Sequence, residues 1–159
     1  MRISSSRTAN VIGGLGPGES NIIGGNGRHG ILLENGGTAA ILSNRINDNA
    51  ALGIELQDTI SPAETELIAF SGITVTGIVA NAPSNAQLAL QIFSSDSCDA
   101  SGAGEGAVMV GFGFVRASAA GTATFVFNLT QPVKERQYLT ATATVASSTS
   151  SFSTCLQVR

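Results

Sequence analysis

Tryptophan is absent from the 159 residues, tyrosine occurs once, at Tyr138, and charged side chains make up only 12% of the chain. That charged share is about half the usual one, so Ser, Thr, Asn, Gln and Gly must cover the surface in place of ion pairs. Such a profile is common in extracellular repeat proteins and uncommon in cytosolic enzymes. The eight basic residues are scattered and the net charge is −3, which leaves no basic stripe to neutralise a run of phosphates and argues against nucleic acid as a partner. No apolar run approaches the length of a membrane span, since even Ala107 to Val115 is interrupted by Gly111 and Gly113. The opening Met1-Arg2-Ile3-Ser4-Ser5-Ser6-Arg7 has no apolar stretch behind its first charge, so no signal peptide is legible. The chain is expected either to be cytosolic or to begin inside a longer gene product. With one histidine, His29, and two cysteines, Cys98 and Cys155, the signal for a zinc set is weak and any Ser-His-Asp or Cys-His catalysis must use that one imidazole.

What is present is a repeat. Offset by 23 residues, Asn21 falls on Asn44, Ile23 on Ile46, Asn26 on Asn49, Gly30 on Gly53, Ile31 on Ile54 and Leu33 on Leu56. A period of that size signals units too small to bury their own apolar faces, each completed by its neighbour. Short apolar pieces separated by Gly, Pro and Asn predict strands and tight turns, and no segment shows a helical period. Each unit reads as two apolar strands, such as Gly30 to Glu34 and Ala39 to Ser43. Strand alternation sends Ile31, Leu33, Ile54 and Leu56 inward and Leu32, Glu34, Glu55 and Gln57 outward. The paired asparagines are expected at corners, where Asn tolerates a left-handed backbone and can hydrogen-bond its copy in the next unit. Met1 to Ala9 carries little pattern and reads as the remnant of a preceding unit or a loose terminus.

Asn10-Val11-Ile12-Gly13-Gly14, Gly16-Pro17-Gly18, Asn21-Ile22-Ile23-Gly24-Gly25-Asn26 and Gly30-Ile31 resemble the right-handed parallel β-helix repeats of large bacterial secreted and surface proteins. After Gln57 to Glu66, which has linker composition, the spacing changes. Strands are predicted at Ile73 to Ala80, Gln87 to Ser94, Val108 to Arg116, Thr122 to Leu129, Tyr138 to Val145 and Phe152 to Val158, a pattern suited to an antiparallel sandwich. Phe93-Ser94-Ser95-Asp96-Ser97-Cys98-Asp99, the loop Gly102 to Gly106, Leu139 to Thr144 and Ser151-Phe152-Ser153-Thr154-Cys155 resemble the immunoglobulin-like β-sandwich that follows β-helix arrays in those same surface proteins. Val145 and Ser151 stand where that family usually has Asp and Glu, so a clasp or cation site built on those carboxylates is not carried over. Two cysteines could form a bridge or remain as separate buried thiols. The resemblance pairs Cys98 with Cys155, closing a 57-residue loop, for which the chain-entropy model gives about 4 kcal/mol.

The candidate chemistry is thin. Gly24 to Leu32 approaches the calcium-binding nonapeptide, but His29 stands where the motif needs an aspartate. His29 could be oriented by an acid such as Glu34 or Asp48, yet no G-x-S-x-G elbow occurs, and its counterpart one unit on is Leu52. Glu34 and Glu55 could share an outer face in neighbouring units, as paired carboxylates of a carbohydrate enzyme would. A solvated face is the simpler account. The Gly-rich stretch Gly13 to Gly18 lacks the Gly-Lys-Ser/Thr of a phosphate loop.

The expectation is therefore an all-β chain: a short right-handed parallel β-helix of about two to three coils over 1–60, a linker over 61–72 and an antiparallel immunoglobulin-like β-sandwich over 73–159. Its function is expected to be that of a non-enzymatic extracellular or cell-surface structural module of adhesion type. It would contact glycans or cell-surface proteins, use no metal or other cofactor, and self-associate through an exposed N-terminal coil. A carbohydrate-active enzyme (a polysaccharide lyase or glycoside hydrolase), or a fragment of one, is the alternative, with His29, Glu34 and Glu55 as its candidate residues.

Overall fold

The computed structural model describes residues 1–4 and 10–159. The described chain is all-β, with a parallel N-terminal half and an antiparallel C-terminal half. In the first half, β1 (Arg2–Ser4), β2 (Asn10–Gly13) and β3 (Ile22–Gly24) make one circuit. Then β4 (Ile31–Glu34), β5 (Ala39–Leu42) and β6 (Arg45–Asn47) make a second, and β7 (Ile54–Gln57) opens a third. Strands of successive circuits pair in parallel, giving the ladders β1-β4-β7, β2-β5 and β3-β6. Three short strands per circuit replace the two expected, because Arg45–Asn47 pairs as a separate strand after the break at Ser43 and Asn44. Of the stretch Met1 to Ala9, Arg2–Ser4 pairs with β4, while 5–9 lie outside the described residues.

The inward alternation holds. Ile31 sits beside Ile54 and Leu33 beside Leu56, and these side chains share a core with Ile12, Ile41 and Ile46. Stacked rungs about 4.8 Å apart cover one another's methyl groups, so each circuit buries the apolar face of the next. The asparagine pairs also bond as their spacing predicts. Asn21 donates its backbone N–H and Nδ2 to Asn44 Oδ1 at 3.0 and 2.9 Å, and Asn26 does the same to Asn49 Oδ1 at 3.3 and 2.7 Å. The left-handed residues, however, lie just before the second asparagines, at Ser43 and Asp48 with φ of 55° and 59°. The spacing is 23 residues only from β3 onward. Ile12 pairs with Ile41 and Ile3 with Leu33, a longer step, because the first circuit carries an extra loop after Gly14 where Glu19 Oε2 accepts the Gly16 N–H at 2.7 Å. Gly13 is needed at the start of this loop. Its φ is +77°, and a Cβ there would lie 2.2 Å from Leu42 O and 2.5 Å from Asn44 Oδ1.

The second half contains β8 (Glu64–Ser71), β9 (Thr74–Ala80), β10 (Gln87–Ser95), β11 (Val108–Arg116), β12 (Ala123–Asn128), β13 (Tyr138–Val145), β14 (Ser148–Thr149) and β15 (Leu156–Gln157). One antiparallel sheet runs β12-β9-β8; the other runs β11-β10-β13-β14 with β15 also on β13. Five of the six expected strands lie within a residue or so of their predicted bounds. The sixth, Phe152 to Val158, is reduced to Leu156–Gln157. The expected linker 61–72 is instead largely β8, paired with β9 along Glu64–Ser71. A register shift between Leu67 and Ala69 breaks its two-residue alternation, which hid the strand from a periodicity argument. Leu67, Val75, Val79 and Phe125 of the first sheet meet Leu88, Leu90, Ile92, Leu139, Ala141 and Ala143 of the second in one core.

The two halves share a buried seam. The far face of β10 and β13 carries Gln91, Phe93, Thr140, Thr142 and Thr144, all buried, and it covers the end of the parallel stack. Phe93 and Phe152 meet edge to face at 5.4 Å and belong to the parallel half's core. Among the described strands β5 has no third-circuit neighbour, and side chains take that neighbour's place. Gln91 Nε2 donates to Ile41 O at 3.0 Å, Gln91 Oε1 accepts the Ser43 N–H at 2.6 Å, and Thr149 Oγ1 accepts the Ile41 N–H at 2.8 Å. Gln91→Leu would preserve the packing volume but strand Ile41 O and Ser43 N without partners. We expect a loss of about 2–4 kcal/mol, measured as a lower urea midpoint with an unchanged slope; an unchanged midpoint would show that the amide is dispensable.

Candidate functional site

The asparagine ladder ends on a carboxylate. Asn49, which receives two hydrogen bonds from Asn26, passes two onward: its backbone N–H and Nδ2 donate to Glu105 Oε1 at 3.2 and 2.8 Å. Glu105 therefore occupies the place of the next asparagine. Beside it the N–H groups and carbonyls of Ile46 and Gly106 exchange two hydrogen bonds of 2.7 Å, so backbone from the β10–β11 loop closes the edge of β6. Thr140 Oγ1 and Ser95 Oγ hold the Glu105 carbonyl at 2.8 and 3.2 Å. Position 104 has no room for a side chain, since a Cβ there would fall 1.9 Å from Thr140 Cγ2.

Above this junction lies a polar depression of about 290 Å³ lined by Arg45, Asp48, Asp96, Asp99 and Glu105 among others. Four carboxylates face one guanidinium, and each carboxylate has a partner. Glu105 is held by Asn49, Asp96 Oδ1 accepts from Gln137 Nε2 at 2.8 Å, Asp99 Oδ1 accepts the Ser101 N–H at 2.8 Å, and Asp48 accepts from Asn47 Nδ2. Arg45 Nε donates to Asn47 Oδ1 at 2.9 Å. Hydrogen bonds from the Ser101 side chain and backbone hold Asp99 below the usual carboxylate range. Among the described residues no group of three or more His, Cys, Asp or Glu side chains is placed to hold a metal ion. Chemically the depression offers hydrogen-bond acceptors and negative potential, without a nucleophile and base in contact.

The residues singled out from the sequence lie elsewhere. His29 lines a separate shallow depression with Met1, Arg2, Arg28 and Leu32; among the described residues no carboxylate lines it, and the His29 Nδ1 is buried without a hydrogen-bond partner. Glu34 is taken up by Arg2, whose Nε donates to Glu34 Oε1 at 2.6 Å, and the residue is only 7% exposed. Glu55 stacks on Leu32, and Glu34 on Gln57, so the two acids are diagonal neighbours and not a stacked pair. Cys98 and Cys155 form a disulfide with Cα atoms 6.1 Å apart. It ties the loop that carries Glu105 to the segment that enters β15. Sequence reasoning missed Gln91 and Glu105 as junction residues. The one local signal was an acid flanked by glycines in an otherwise weakly charged loop, Gly104-Glu105-Gly106.

No family model matches the chain, and no curated protein matches it.

The Asp99 geometry has a definite pH sign. A carboxyl whose folded pKa is lowered contributes stability above its unfolded value, about 3.9, and loses it as the pH falls through the lower folded value. Asp99→Ala should lower stability at neutral pH and flatten the acid limb of the stability curve below about pH 4, so that the variant and the parent converge in acid. Parallel urea titrations at several acidic pH values would detect this, and superimposable acid limbs would refute it.

Proposed function

We propose that the chain is a non-enzymatic extracellular module of structural or adhesion type, the end of a right-handed parallel β-helix array capped by an immunoglobulin-like β-sandwich. The observation that carries this reading is the seam. Gln91, Thr149, Glu105 and the Gly106 backbone supply to β5, β6 and Asn49 the hydrogen bonds that a further circuit would supply. A sheet whose outer face substitutes for a missing coil is suited to ending a stack and presenting its flank. The Cys98–Cys155 bridge suits an oxidising, extracellular setting. The weakly charged surface suits contact with glycans or cell-surface proteins through hydroxyl and amide groups. A β-helix-type carbohydrate enzyme is the second reading, favoured by the four carboxylates around the junction depression.

Purified protein incubated with a panel of acidic and neutral polysaccharides is expected to show binding without turnover. Saturable turnover that disappears in Asp48→Asn or Asp96→Asn, or in His29→Ala, Glu34→Gln or Glu55→Gln, would overturn the structural reading in favour of the enzyme.

The first circuit carries the means of self-association. Among the described strands, β2 and β3 each pair on one side only, and Val11 and Ile22 on them are 63% and 79% exposed. Open parallel edges with apolar neighbours recruit further strands. Light scattering should show concentration-dependent association that Ile22→Lys weakens. A monomer at all concentrations, with Asn10 to Ile23 amides slow to exchange, would contradict this.

A further inference from the structure

The loop between β10 and β11 closes the end of the parallel stack, yet it brings almost nothing apolar with it. From Asp96 to Ala107 it reads Asp-Ser-Cys-Asp-Ala-Ser-Gly-Ala-Gly-Glu-Gly-Ala, and none of these residues belongs to either hydrophobic core. Its order rests on hydrogen bonds and on one covalent tie. Gly104 N–H donates to Ser153 O at 3.0 Å, Cys155 N–H donates to Gly102 O at 3.1 Å, and Cys98 is bonded to Cys155. The partner segment is secured independently, because Ser153 N–H donates to Ala141 O at 2.8 Å and Ala141 N–H donates to Ser153 Oγ at 2.9 Å. One side of the bridge is therefore anchored in the central sheet by its backbone, whereas the loop meets that sheet through the Thr140 and Ser95 hydroxyls on the Glu105 carbonyl. The other side is that polar loop, with three glycines, which regain much conformational freedom when released.

We propose that the Cys98–Cys155 disulfide is a redox latch on the junction: its reduction frees the 96–107 loop from the parallel stack while the two-sheet core stays folded. The reductant is a dithiol. One of its thiolates attacks a sulfur of the bridge to give a mixed disulfide and a cysteine thiolate. Its second thiol then displaces the remaining cysteine, leaving two protein thiols and an oxidised dithiol, a transfer of two electrons and two protons. Both cysteines are partly exposed and neighbour the exposed Asp96, Ser97, Ser101 and Thr154, so a small dithiol can reach the bridge. Release of the loop withdraws Gly106 from Ile46 and Glu105 from Asn49, uncovering the edge of β6 and the end of the asparagine ladder. The proposal is independent of the adhesion reading, since it concerns only what holds the junction closed.

Amide hydrogen exchange of the full chain, oxidised and then treated with dithiothreitol at the same pH, tests this directly. The amides of Ile46, Asn49, Gly104 and Gly106 are expected to lose roughly ten-fold or more of their protection on reduction. Those of Leu90, Ile92 and Ala143 should keep theirs, and reoxidation should restore the first set. Unchanged protection at Ile46 and Gly106 would overturn the proposal by showing that hydrogen bonds alone hold the loop. Equal loss at Leu90 and Ile92 would overturn it by showing that the bridge is a staple for the whole unit. The paired Cys98→Ser and Cys155→Ser variant should reproduce the reduced pattern. Because that variant could fail to fold during production, reduction of already folded protein supplies the deciding measurement.

Discussion

A stack of parallel strands has no natural end. Every rung leaves a row of N–H and carbonyl groups facing the next, and those at the last rung must find partners or lose the stability they would otherwise supply. In this protein the requirement is met at β5 and β6 by the outer face of an antiparallel sheet and the loop beside it. Gln91 and Thr149 complete β5, and Gly106 completes β6 with reciprocal backbone bonds. Glu105 accepts the last bonds of the asparagine ladder. The apolar end is covered at the same time, because Phe93 and Phe152 pack against each other and into the same core as Ile31, Leu33, Ile46 and Ile54.

This arrangement gives the central sheet two different faces. One face, with Leu88, Leu90, Ile92, Leu139, Ala141 and Ala143, meets the other antiparallel sheet as an ordinary apolar core. The opposite face is rich in threonine and carries a fully buried glutamine. A buried amide or hydroxyl is costly unless each of its groups is paired; here the strand edges supply the pairing. The low charge of the chain is consistent with this division of labour. Neutral polar side chains serve inside the molecule as well as on its surface, and the charged residue that terminates the asparagine ladder is Glu105.

The same geometry fixes where the acids and the imidazole lie relative to one another. The carboxylates that converge do so at the junction depression, and each is already hydrogen-bonded to a neighbour. The imidazole that could have served as a base lies in another depression, beside arginines. Glu34, one of the two acids on the outer face of the stack, is neutralised by Arg2. Termination of a stack uses groups committed to partners, which is the state of Gln91, Thr149 and Glu105.

Local pattern carried much of the architecture. The 23-residue offset specified which residues stack, and the pairings of Ile31 with Ile54, Leu33 with Leu56, Asn21 with Asn44 and Asn26 with Asn49 follow from it, because a repeat in sequence is a repeat in hydrogen-bond register. Two-residue alternation located most of the antiparallel strands for the same reason, and it failed at β8, where a register shift interrupts the alternation. The sequence by itself thus determined that the chain is all-β, which side chains face inward, and that each circuit completes its neighbour. What only the tertiary structure decided is how the stack ends. Gln91 meets Ile41 and Ser43 across about fifty residues, and Glu105 meets Asn49 across 56. No spacing rule links such positions, since their meeting depends on one sheet folding across the end of another, and an unpaired strand edge constrains the kind of group that completes it without specifying where in the chain that group lies.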